Sequence, residues 1–209
     1  MTNWRDKGPE TVAALLEAKQ LSGFRRTATA SPGEAAVVIR NGEIAGLQTE
    51  GRIKTLSVFD RMRSLIGIGS DVKVLMVDTS TFSLSYWLED PNVPRSREDG
   101  ESLGLPVLTK DGQLISAQIT IDLSVNPEES ELILQAMKGQ KSLGTQELGN
   151  LLKDQLIAQA VVVQVSKYDA AELRGNSDLL KDIDTEANRQ LGSKLAGYGL
   201  SFEGLHINW

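Results

Sequence analysis

Thr109-Lys110-Asp111-Gly112-Gln113-Leu114-Ile115-Ser116-Ala117-Gln118-Ile119-Thr120-Ile121-Asp122-Leu123 is the stretch on which the fold turns. From Gln113 to Leu123 the residues alternate: Ile115, Ala117, Ile119, Ile121 and Leu123 take one side, and Ser116, Gln118, Thr120 and Asp122 take the other. A period of two predicts a long strand with one packed side and one wetter side. Asp111-Gly112 joins it to a shorter strand at Val107 to Thr109. After Leu123 the pattern becomes helical. Asn126 is placed to cap, Pro127 suits a first helical position, and Glu128, Glu129 and Glu131 complement a helix N-terminus.

Upstream of this stretch the sequence reads as strands. Ala36 to Ile39 runs into Asn41-Gly42, a dipeptide suited to a tight hairpin, and Ile44 to Gln48 returns. Arg52 to Val58 alternates again, and Asp60 to Ile66 allows one or two helical turns. Val72 to Val77 and Phe82 to Leu88 read as an antiparallel pair, and Pro91 to Leu103 as a mobile loop. Downstream, a helix starts near Thr145 with Leu148, Leu152, Leu156, Ala160 and Val163 in one stripe. Its end is ambiguous, because Val161 to Val163 and Val165 favour strand. A last helix over Ser177 to Gly197 carries Leu180, Ile183, Ala187, Leu191 and Leu195, and Leu200 to Ile207 closes as a strand. Strands first, helices second and one returning strand predict an α+β domain over residues 31–209. Residues 1–30 read as an appended arm: a short amphipathic helix after Pro9, ending near Gly23, then a linker at Thr27 to Gly33.

Composition removes many functions. The 209 residues include no cysteine and one histidine, which excludes disulfide scaffolds, thiolate metal sites and a cysteine nucleophile. A net charge of −6 argues against bulk affinity for nucleic acid. The longest strongly apolar stretch, Leu156 to Val165, is about half of a membrane span. With no apolar leader at Met1 to Glu10, the expectation is a soluble, cytoplasmic chain.

Several local phrases resemble the stomatin/prohibitin/flotillin domain family, also called SPFH or band 7. Pro32-Gly33-Glu34-Ala35-Ala36-Val37-Val38 with Asn41-Gly42 is similar to its opening hairpin, and Thr109-Lys110-Asp111-Gly112 to its entry into the core strand. Tyr168-Asp169 to Leu173, Ile183 to Leu191 and Tyr198-Gly199-Leu200 resemble its helical half and returning strand. The nearest likenesses are the soluble bacterial branch, called virion-core-like, and the shoulder domain of vault shells. The resemblance implies side-by-side assembly of copies into rings or shells, often at a membrane.

The chemistry-bearing residues each have a plain structural role. His206 lies between Leu205 and Ile207 on a strand, and no G-x-S-x-G motif supplies a nucleophile, so a polar place on the wetter face is favoured over catalysis. Gly67-Ile68-Gly69 lacks the rest of a phosphate-binding loop. Asp182, Asp184 and Glu186, with Lys181, Arg189 and Lys194 nearby, read as a solvated salt-bridged face. No metal, cofactor, nucleic acid or small-molecule substrate is expected.

The leading expectation is therefore a non-catalytic scaffold that forms homo-oligomers, its self-association or membrane contacts carried by Trp4, Leu15, Leu16, Phe24, Phe202 and Trp209. Residues 1–75 hold 11 basic and 8 acidic side chains, +3 against −9 for the remainder. That asymmetry permits weak attraction of the arm to anionic lipid at the inner face of a membrane. The alternative is an adaptor that binds another protein or lipid through the arm without large assembly.

Overall fold

A computed structural model of the protein describes residues 4, 10–17, 27–54, 72–88, 103–105 and 107–209. The strands are β1 (Thr11–Glu17), β2 (Thr27–Ala30), β3 (Glu34–Arg40), β4 (Glu43–Gln48), β5 (Gly51–Lys54), β6 (Val72–Asp78), β7 (Phe82–Leu88), β8 (Leu103–Leu105) and β9 (Ala117–Val125). There follow α1 (Ser130–Ala136), β10 (Ser142–Gly144), α2 (Thr145–Leu152), a π-helical stretch (Lys153–Val162), α3 (Val163–Val165), α4 (Ala170–Leu173), α5 (Ser177–Leu195) and β11 (Leu200–Asn208). The fold is α+β, as the order of patterns predicts. The chain divides into two compact units, one of Met1–Ser80, Ser124–Thr145 and Tyr198–Leu200, the other of Thr81–Leu123, Gln146–Gly197 and Ser201–Trp209.

The first unit is built on a five-stranded sheet in the order β10-β1-β6-β3-β4, with β2 and β5 pairing separately. β3 is buried at every position from Glu34 to Ile39, because it lies inside the sheet with both faces covered. Asn41 and Gly42 both take positive φ, as the hairpin between β3 and β4 requires.

Two expectations are corrected here. The amphipathic helix expected after Pro9 is the strand β1, whose Ala13 to Glu17 pair antiparallel with Lys73 to Val77. Val12 to Leu16 is a short continuous apolar run, and periodicity cannot tell an interior strand of that kind from a buried helical segment. The expected linker at Thr27 to Gly33 contains β2, which pairs with β5 through Thr27↔Lys54 to Ala30↔Gly51. Residues 11–17 therefore belong to the sheet and not to an appended arm.

The second unit carries the sheet β11-β9-β7-β8. β9 alternates strictly between buried and half-buried residues, and its Ile119 and Ile121 oppose Tyr86 and Leu84 of β7. It starts at Ala117, later than expected, because only one isolated bridge (Leu108↔Leu114) joins the two sides of the Asp111-Gly112 turn. The returning strand is found: β11 hydrogen-bonds to β9. β6 and β7 are strands as expected, but they join different sheets and do not pair with each other.

The helix from Thr145 continues through Val165, so the valines do not revert to strand. Widening into a π-helix advances the buried face by about one residue per turn. Leu156, Ile157, Ala160, Val161 and Val165 face inward, and Val163, expected in the stripe, is exposed. In α5, Ile183, Ala187, Leu191 and Leu195 are buried as their spacing predicts. The expected helix at 60–66, Gly67-Ile68-Gly69 and residues 91–102 of the loop expected from Pro91 to Leu103 lie outside the described residues, and Leu103 begins β8.

Candidate functional site

The family-like phrases prove to be folding devices. Ser31 to Glu34 closes a turn with Glu34 N–H donating to Ser31 O at 2.9 Å, Pro32 at its second position and Gly33 at φ 78. The Thr109-Lys110-Asp111-Gly112 turn grips the Tyr168-Asp169-Ala170 segment. Lys110 N–H donates to Tyr168 O at 2.9 Å, and Ala170 N–H donates to Asp111 Oδ1 at 3.1 Å. The Thr109 hydroxyl also donates to Asp111 Oδ1. These donors, the Thr109 hydroxyl foremost, hold the Asp111 carboxyl below the usual carboxylate range.

The wetter face of the second unit's sheet carries a polar row. Ser83 Oγ donates to Asp122 Oδ1 at 2.6 Å, and His206 Nε2 lies 3.9 Å from Asp122 Oδ2. The carboxylate stands between hydroxyl and imidazole. Activating a serine needs the imidazole in the middle position, so this order of groups does not make Ser83 a nucleophile. His206 is exposed, where the sequence placed it.

Of the acidic residues on α5, Glu186 accepts from Arg189 Nε at 2.8 Å, Arg189 Nη2 at 2.6 Å and Gln190 Nε2 at 2.8 Å. Those bonds draw its carboxyl down to about 2. Asp184 is half-buried, and burial raises its carboxyl. No metal-holding group of three or more acidic or histidine side chains occurs among the described residues. Asn188 serves the strand edge: its Oδ1 accepts from Leu205 N–H at 3.0 Å, and its Nδ2 donates to Leu205 O at 3.3 Å. In this way a side chain occupies part of the outer backbone of β11.

The described residues expected to make contacts are divided between the two units. Trp4 and Leu16 are buried in a cluster with Ala14, Ala28, Ala30, Ala36, Val38, Val72, Val74 and Met76. Leu15 is half-buried opposite Leu75, and Phe24 lies outside the described residues. Phe202 and Trp209, both half-buried, belong to the other unit; the Phe202 ring lies 3.3 Å from where a Cβ on Gly192 would stand.

Sequence reasoning missed Ile44 and Leu47. Each is 38% exposed, and both sit on β4, an outermost strand of the five-stranded sheet. β4 pairs with β3 as Ala36↔Gln48, Val37↔Leu47, Val38↔Gly46, Ile39↔Ile44 and Arg40↔Glu43, which leaves Ala45 as the extra residue of a bulge. The bulge puts Ile44 and Leu47 on the same face, beside Ile39 and Val37. Gly46 inside a strand pattern was the available signal for it. Among the described residues the other exposed large apolar side chains, Leu108 and Val163, stand singly on separate segments.

Comparison with protein families matches residues 28–208 to the family described as SPFH domain / Band 7 family. The match covers most of the chain, and the order of strands, helices and returning strand agrees with it. The chain belongs to the SPFH/band 7 family. Comparison with curated proteins gives no match. No helix among the described residues is long and apolar enough to cross a membrane.

Proposed function

We propose that the chain is a non-catalytic scaffold domain that associates with copies of itself. The observation that carries this reading is the outer strand β4, with Ile44 and Leu47 exposed side by side. An outermost strand offers unpaired backbone groups, and soluble proteins usually blunt such strands with charge, proline, a bulge or a covering element. β11 has Asn188 in that role. β4 has a bulge, one charged residue, Glu43, and two large apolar side chains.

Membrane contact through the first residues has less support. Trp4 and Leu16 are committed to the core, so lipid contact through them would require opening the sheet. Size-exclusion chromatography with light scattering tests the scaffold reading from micromolar to near-millimolar concentration. Mass rising with concentration is expected; a constant monomer mass would overturn it.

A further inference from the structure

We infer that the partner for β4 is β4 of a second copy, paired antiparallel about a two-fold axis. This rests on the self-association reading above and specifies its geometry.

The strand reads Glu43-Ile44-Ala45-Gly46-Leu47-Gln48. Antiparallel self-pairing centred between Ala45 and Gly46 sets Glu43 opposite Gln48, Ile44 opposite Leu47 and Ala45 opposite Gly46 of the other copy. Each pairing is compatible. The carboxylate meets an amide and not another carboxylate. Both apolar pairs fall on one face, where cross-strand apolar neighbours stabilise a pairing. The bulge brings its two smallest residues to the axis, where a distorted ladder has least room. In parallel, in-register pairing Glu43 would stand beside Glu43, a like-charge pair that destabilises. The self-complementary pattern is what an isologous interface requires.

The outer edge of β4 is open among the described residues. Among the described residues, β3 is the sole strand pairing with β4, and no side chain donates to or accepts from the backbone of Glu43 to Gln48. Six residues span about 20 Å, a short contact by the measure of stable dimers. Association through this edge alone is therefore weak and concentration-dependent.

The absence of cysteine makes the test clean. Ile44→Cys and Leu47→Cys chains are prepared separately, then oxidised alone and mixed at near-millimolar concentration. Directly opposed strand residues lie within disulfide reach. The mixture is expected to form a covalent dimer, at least tenfold more than either variant alone. Cross-linking of Ile44→Cys with itself would indicate parallel pairing and overturn the inference. So would a mixture that stays uncross-linked while light scattering shows the unaltered chain to be oligomeric, an outcome that leaves self-association standing. A monomeric unaltered chain in the same measurement would overturn both.

Discussion

The Asp111 carboxylate shows how a surface residue contributes through what it accepts. Its pKa is held low, so the ionised form is favoured in the folded state. The stability it contributes is complete above the ordinary range of an unfolded aspartate, about 3.9. It is lost as pH falls through the depressed folded value. Glu186 behaves likewise, with a window between 4.5 and about 2. Asp111→Asn should lower the urea midpoint at pH 7, and the gap to the unaltered chain should close towards pH 2. A gap independent of pH would assign the loss to packing alone. Burial, by contrast, is read from core truncation. Ile121 is fully buried on β9, and Ile121→Ala should cost about 2–5 kcal/mol. Thr120→Ala, one residue away on the wetter face, should stay within about 0.5 kcal/mol in the same denaturation series.

Element by element, what the sequence made legible followed from local chemistry. The alternation of β9, the Asn41-Gly42 hairpin and the α5 stripe each carry their own period or turn signal. So does the Gly199 release into β11. Gly199 sits at φ 73, and a Cβ there would stand 2.8 Å from Glu129 O and 3.1 Å from Ile133 Cγ1. Gly199→Ala should therefore destabilise by about 1 kcal/mol or more, read from the denaturation midpoint. β1 was illegible because interior strands lose alternation when both faces are covered, and Val12, Leu15 and Leu16 fall at helical spacing within a continuous apolar run. The π-helical stretch was illegible for a different reason. Spacing at every fourth residue assumes 3.6 residues per turn, and a wider turn moves Val163 out of the stripe.

In the molecule as a whole, the choice of sheet partners was the part hidden from sequence. Alternation tells which side of a strand is packed, and it is silent on which strand lies alongside. β1 reaches β6 across more than fifty residues, and β6 and β7, neighbours in the chain, enter different sheets. The candidate surface was hidden for the same reason. Ile44 and Leu47 become an exposed edge only once β4 is known to be outermost, whereas Trp4 and Leu16, which looked available, are spent on the core. An account in which β4 joins copies of the chain makes a direct statement about its backbone. Hydrogen exchange, followed peptide by peptide at low micromolar and at near-millimolar concentration, reads that backbone. The account predicts that amides within Glu43 to Gln48 slow several-fold at the higher concentration while those of β9 stay unchanged. Exchange in β4 that is the same at both concentrations, in a sample whose mass rises between them, would contradict it.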